Sequence, residues 1–297
     1  MSAAGDRVLI AGAGPVGLVA AGYLRRAGVP VTVFESSEDL SLESRASTFH
    51  PPTLDMLDVL GVAAPLIAQG LVAPALQFRT KHDGRIAQFD FGAIADVTRH
   101  PFRVQSEQFK LTRLLHERLA GDPGYAIAFD SSVEDVAQDA AGVTVTIARH
   151  GRRVTEHGAW LIGADGARSA VRRALGIPFE GFTWPERFLV VSTPFDFHAA
   201  LPDLVSVNYV ADPEQWHFLL EIPGMWRIMF PVRPEIEDAQ ATSDDYVQAQ
   251  MATLLPGRRG YEVAHTTLYR VHQRVAESYR QGRVFLAGDA AHVNNPL

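Results

Sequence analysis

Val8-Leu9-Ile10-Ala11-Gly12-Ala13-Gly14-Pro15-Val16-Gly17 is the stretch that decides the fold, and its reading extends to Val31-Thr32-Val33-Phe34-Glu35. A short apolar run enters Gly12-x-Gly14-x-x-Gly17, an Ala/Leu-rich stretch ends at Gly28, and a second apolar run stops at Glu35. The pattern predicts strand, tight turn, helix and strand. Gly12 permits the sharp turn, Gly14 lets a pyrophosphate approach the backbone, and Gly17 lets helix and strand pack closely. Free N–H groups at the helix start, backed by the helix dipole, favour a phosphate. Glu35 is placed to accept hydrogen bonds from ribose hydroxyls. The motif predicts dinucleotide binding, and NAD and FAD both use it.

Composition bounds the rest. The 297 residues suffice for one large or two ordinary domains, and 47% hydrophobic with 21% charged residues marks a globular chain rather than a disordered one. A net charge of -7 gives no electrostatic reason to expect nucleic acid or an anionic membrane as partner. The chain has no cysteine, which excludes disulfides, thiolate metal sites and cysteine nucleophiles, and suits a reducing cytosol. The eleven histidines show no metal-ligand spacing, so no metal is expected. After Arg7, three glycines and a proline interrupt what an export signal would keep continuous, and no run reaches the roughly 18 apolar residues of a membrane span. The expectation is a cytoplasmic protein with no membrane span.

Further along, 36–48 reads as a polar loop containing Arg45, and Thr53 as the N-cap of a short helix closed by Gly61. Residues 76–91 read as a hairpin turning at Asp83-Gly84, which signals a second domain. Ser106 reads as the N-cap of a helix over 107–120 with Leu111, Leu114, Leu115 and Leu119 at helical spacing. Trp160-Leu161-Ile162-Gly163-Ala164-Asp165-Gly166-Ala167-Arg168-Ser169 is a second strand ending in a Gly/Asp turn. Residues 188–269 turn β-like again. Val284-Phe285-Leu286-Ala287-Gly288-Asp289-Ala290-Ala291-His292 is a third strand ending in Gly-Asp.

Ligands of an open parallel sheet sit beyond the carboxyl ends of its strands, so these three turns are expected to line one crevice. A long flavin dinucleotide needs such a set, with Asp289 accepting from ribityl hydroxyls. The ordered set resembles the class A flavoprotein monooxygenases, the group typified by para-hydroxybenzoate hydroxylase. The likeness covers nearly the whole chain, through the opening fingerprint with Glu35, then Arg45, Gln105, Gly163-Ala164-Asp165-Gly166-Ala167-Arg168-Ser169 and Gly288-Asp289-Ala290-Ala291-His292. It implies an α/β fold: a Rossmann-like FAD-binding domain with a parallel sheet (1–75, 101–185 and 276–297) and an inserted antiparallel substrate-binding domain (76–100 and 186–275). It implies FAD contacts from Gly12, Gly14, Pro15, Val16, Gly17, Glu35, Arg45, Gln105, Asp165, Gly166, Gly288, Asp289 and Ala290. The implied reaction uses NADPH or NADH to reduce FAD and O2 to form a flavin hydroperoxide, which hydroxylates a phenol-like or polyketide-type substrate.

Tyr209 resembles the phenol-contacting tyrosine of the type member, where it would help remove a substrate proton. Its plain reading is a sheet tyrosine with its hydroxyl at the surface. Trp216, Phe218, Met225, Trp226 and Met229 form an aromatic, sulfur-rich region, readable as a lipophilic pocket or as sheet core. Family members continue past Ala291-His292-Val293-Asn294-Asn295-Pro296-Leu297 into a Gly-rich stretch against the flavin ring, so the C-terminal part of the cofactor domain is expected to be missing here. Two alternatives compete: a non-hydroxylating FAD oxidoreductase of this fold, and a truncated FAD-binding protein without full activity. The Trp-x-Trp-x-Ile-Pro signature of the halogenases is absent, Met225-Trp226-Arg227-Ile228-Met229 being the nearest approach.

Overall fold

The computed structural model describes residues 6–42, 47–255 and 257–294. Five parallel strands form the first sheet, in spatial order Val284–Leu286, Trp160–Gly163, Val8–Ala11, Val31–Phe34 and Tyr125–Ala128, with Arg280–Gln281 as an antiparallel edge. All four residues of Val8–Ala11 and of Val31–Phe34 are buried. Both faces are covered, which is why these strands read as unbroken apolar runs rather than alternating ones. Val8 and Ile10 pack against Leu18 and Ala21 of the helix Pro15–Arg26 and against Leu111 and Leu115 of the helix Gln108–Leu119. Leu9 and Ala11 face the other way, onto Val143, Val145 and Ile147 of a three-stranded antiparallel sheet. Full burial of an aliphatic side chain of this kind contributes about 1.5–3 kcal/mol, so this sandwich holds the three turns in place.

A second sheet of eight strands is ordered His292–Val293, His265–Ala276, Phe179–Thr193, Met225–Val232, His217–Ile222, Val207–Ala211, Ala75–Thr80 and Gly84–Asp90. Its pairings are antiparallel except for Val207–Ala211 beside Ala75–Thr80. The last two strands are the expected hairpin, with Gly84 at φ +74°. One face is capped by the short helices Phe197–Ala200, Asp238–Ala241 and Asp244–Ala252, which bury Leu189, Val191, Leu219, Ile228 and Phe230. Thr48–Phe49, Arg103–Gln105 and Leu71–Ala73 form a small antiparallel sheet with Arg103–Gln105 in its middle.

Two expected helix starts move. The helix Pro51–Val59 begins at the prolines, with His50 as N-cap instead of Thr53. Prolines suit the first turn because their ring fixes a helical φ and the missing N–H has no partner there. The helix Gln108–Leu119 takes Glu107 as N-cap, not Ser106, whose backbone N–H instead donates to Ser47 O at 2.9 Å.

A cleft built from three strand ends and an aromatic sheet face

The turns after Val8–Ala11, Trp160–Gly163 and Val284–Leu286 follow three adjacent parallel strands, so they meet at one sheet edge. Backbone bonds extend the ladder into the turns: Gly12 N donates to Phe34 O at 2.8 Å, Ala164 N to Ala11 O at 2.8 Å, and Ala287 N to Gly163 O at 2.9 Å. The packing leaves no room for side chains at the joints. A Cβ on Gly12, at φ +99°, would stand 2.4 Å from Ala164 O, and one on Gly17 would stand 2.0 Å from Gly12 O. A Cβ on Gly288 would meet the Val16 side chain at 2.8 Å. Gly14 is different, with nothing within 4 Å of its would-be Cβ. The space in front of Gly14, at the N-cap of Pro15–Arg26, is the cradle a pyrophosphate needs.

Glu35 ties this turn down. Oε2 accepts from Ala13 N at 2.8 Å, and Oε1 accepts from Ser37 N at 3.0 Å and Ser36 Oγ at 3.2 Å, leaving Oε2 with a lone pair for a ribose. Asp165 accepts from Ala170 N at 2.7 Å and Val171 N at 3.1 Å through Oδ2, while its buried Oδ1 has no partner. Gln105 is fully buried; its Oε1 accepts from Thr48 Oγ1 at 2.7 Å and its Nε2 has no partner. A buried unpaired polar atom costs about 1–3 kcal/mol, so these orphans fit a polar ligand. Gly166 sits at φ +78° in its turn, and the Ala290 carbonyl is taken by Arg172 Nη1 at 2.8 Å. Asp289 is exposed in the turn Gly288–Ala290, and its charge adds to the burial that raises the Tyr269 phenol. Arg45 lies outside the described residues.

The open face of the large sheet carries a row of cross-strand neighbours, Ala87, Phe78, Tyr209, Phe218, Met229 and Val190. Tyr209 stacks on Phe78 with centroids 5.3 Å apart and tilts against Phe218 at 6.1 Å. Trp216 joins this face beside Phe188. Trp226 points the other way, into the helix-capped core beside Phe197, so the aromatic region divides between pocket face and core. The Tyr209 hydroxyl faces Arg103 Nη1 at 3.5 Å, and Arg103 lies over the Phe91 ring at 5.2 Å. Burial and the Arg103 charge lower the pKa of the nearby His50.

Two arginines of this cleft were not picked out from sequence. Arg103 lies two residues before Gln105 on one strand, so both share a face. Arg227 lies on the Met229 face, donating to Ser47 Oγ at 3.1 Å across the layers. Burial lowers the Arg227 pKa, with the Glu107 carboxylate working against that shift. The available signal was a charged residue in the apolar run Met225-Trp226-Arg227-Ile228-Met229. Among the described residues, no cluster of three or more acidic or histidine side chains is placed to hold a metal, and no helix is long and apolar enough to cross a membrane.

A family described as FAD binding domain matches residues 6–297. Para-nitrophenol 4-monooxygenase of Pseudomonas sp. (strain WBC-3) is 34% identical over 297 residues, covering 98% of this chain and 73% of that protein. The chain belongs to the class A flavoprotein monooxygenases. Among solved structures, p-nitrophenol 4-monooxygenase from Pseudomonas putida DLL-E4 superposes with a TM-score of 0.91 at 33% identity, over 98% of this chain and 74% of that one. The flavin-dependent monooxygenase PieE, solved with FAD and substrate, gives a TM-score of 0.86 at 25% identity, over 98% of this chain and 54% of that one.

Proposed function

We propose that this chain hydroxylates an electron-rich aromatic ring, phenolic or polyketide-type, seated on the face formed by Phe78, Tyr209 and Phe218. The observation that carries the reading is the juxtaposition of this aromatic row with the small-sheet strand that bears Gln105. Gly12, Gly14, Pro15, Val16, Gly17 and Glu35 would hold the adenosine and pyrophosphate of FAD. Gln105, Asp165, Gly166, Gly288, Asp289 and Ala290 would hold the rest, with Arg45 assigned to the same cofactor. FAD, when bound, supplies electron transfer from NADPH or NADH to O2 and delivery of oxygen. The protein's own part is to orient the ring, exclude water through apolar contact, and hold the substrate hydroxyl at Tyr209 Oη. We take 1–75, 101–185 and 276–297 as the cofactor domain and 76–100 and 186–275 as the substrate domain, working in the cytoplasm.

The test is turnover with FAD, NADPH or NADH and a panel of substituted phenols under oxygen, following nucleotide oxidation, hydrogen peroxide and hydroxylated product together. The expected outcome is product formation coupled to nucleotide oxidation, with Tyr209→Phe diverting most of that oxidation to peroxide. Peroxide equal to nucleotide consumed, with no oxygenated ring from any phenol, would favour the non-hydroxylating reading.

A further inference from the structure

The eight-stranded sheet ends on Gly84–Asp90, and no strand pairs with its outer edge among the described residues. Such an edge presents a row of free N–H and C=O groups, which proteins ordinarily blunt by keeping the strand short or by charging it. The other sheet edges of the described residues are blunted in one of these ways. Arg280–Gln281, His292–Val293, Thr48–Phe49, Leu71–Ala73 and Tyr125–Ala128 are two to four residues long. The two longer ones are charged along their length, Ser131–Gln138 by Glu134 and Asp135, and Arg152–Gly158 by Arg152, Arg153 and Glu156. Gly84–Asp90 is seven residues long, and its middle, Ile86-Ala87-Gln88-Phe89, is uncharged. Ile86 is 60% exposed and Phe89 57%, so two large apolar side chains stand in water beside an open ladder.

The charges at the two ends say what fits this edge. Arg85 stands at its start, after Lys81 and His82 of the turn, and Asp90 stands at its end, with Asp96 beyond the short helix Phe91–Ile94. Lys81 pairs with Asp212 at 3.5 Å, and Asp83 is held by Thr80 Oγ1 at 3.0 Å. Arg85 reaches the Gln88 amide oxygen at 3.4 Å, and Asp90 caps Gly92 N at 2.7 Å. A second copy running antiparallel brings the basic start of each strand to the acidic end of the other. Running parallel, Arg85 would face Arg85 and Asp90 would face Asp90. A two-fold axis through Ala87 sets Ile86 opposite Gln88, Arg85 opposite Phe89 and Gly84 opposite Asp90 of the other copy. No like charges meet, and each guanidinium lies against an aromatic ring. The residue on the axis must meet its own copy, and alanine is small enough to do so.

We propose that Gly84–Asp90 is a homodimer interface, two copies pairing antiparallel about Ala87 so that their large sheets join into one. The contact is isologous, using the same strand on both copies, and closes at two. It buries Ile86 and Phe89 and pairs the outer backbone groups of both strands.

The chain has no cysteine, so a single introduced one reports the register. Residues directly opposite in an antiparallel pair have Cα atoms about 4.5–5.5 Å apart, inside the range a disulfide spans. Wild type is expected to sediment as a dimer at tens of micromolar. Ala87→Cys should convert to a covalent dimer under mild air oxidation. Arg85→Cys should not, because its two copies would stand four residues, about 14 Å, apart along the strands. Ile86→Lys combined with Phe89→Lys, both at exposed positions, should weaken the dimer roughly a hundred-fold or more with Tm unchanged in the monomer. A monomeric wild type, with some other partner or none on this strand, overturns the proposal. So does a dimer that leaves Ala87→Cys without a disulfide or cross-links Arg85→Cys equally well.

Discussion

Gly14→Ala and Gly17→Ala add the same methyl group three residues apart, and the structure assigns them different consequences. At Gly17 the new Cβ would stand 2.0 Å from Gly12 O, where ordinary contact begins at 3.4 Å, so helix and turn must separate by the difference. The obstructing atom is backbone and cannot rotate away. Overpacking of this kind costs about 1–3 kcal/mol, against about 1 kcal/mol gained from the helix propensity of alanine. With a backbone atom that cannot move the upper end of that cost applies, and the net expectation is a loss of about 2 kcal/mol in the FAD-free protein, a few degrees in Tm, with weaker FAD binding as the turn opens. At Gly14 nothing lies within 4 Å of the new Cβ, and φ -67°, ψ 178° is a conformation any residue adopts before a proline. The poorer N-cap costs up to about 1 kcal/mol, and the stiffer unfolded chain returns about 0.4–1 kcal/mol. Stability without FAD should therefore barely move. The methyl group instead fills the space in front of the turn, so FAD affinity should fall tenfold or more, about 1.4 kcal/mol. Urea unfolding of the FAD-free proteins gives the first quantity and quenching of flavin fluorescence gives the second. Wild-type FAD affinity in Gly14→Ala, or destabilisation matching that of Gly17→Ala, would refute the assignment of that space to the pyrophosphate.

Two further outcomes test the rest of the framework. Phe197→Ala removes a fully buried ring packed on Phe195, Trp226 and Tyr261, and should cost about 3–5 kcal/mol in urea unfolding, with FAD affinity unchanged because the ring lies on the helix-capped side. Tyr125, its phenol pushed up to about 12 by burial, holds its proton longer in the folded state than in the unfolded one. Its contribution to stability is complete below the ordinary tyrosine value of about 10 and is lost as pH rises through the folded value. Tyr125→Phe should flatten the decline in Tm over that alkaline window; an unchanged decline would assign it to other groups.

The chain order of residue types determined the part of this protein that depends on neighbours in sequence. An apolar run, Gly12-x-Gly14-x-x-Gly17 and Glu35 specify strand, turn, helix and strand because each requirement is met within one continuous segment. The turns at Asp165 and Asp289 are legible for the same reason, and so is the hairpin at Asp83-Gly84. Their meeting is a tertiary fact. It follows from strand order, which places residues 160–163 and 284–286 beside 8–11, and it shows in Gly12 pressed on Ala164 and Gly288 on Val16. Helix starts shifted where backbone geometry outweighed side-chain preference, at Pro51 and at Ser106. The aromatic residues 216–229 looked alike along the chain, and only the sheet separated Trp226, under the helices, from Trp216, Phe218 and Met229 on the open face. Arg103 carries no local pattern that marks a site, because a lone arginine reads as a solvated charge, and Arg227 is marked only by standing inside an apolar run. Strand register sets Arg227 on the open face and against Ser47, and strand packing sets Arg103 against Tyr209 without an acidic partner among the described residues. Local covalent and steric rules wrote the cofactor turn into the sequence, while the contact of Arg103 with Tyr209 exists only where distant strands pack.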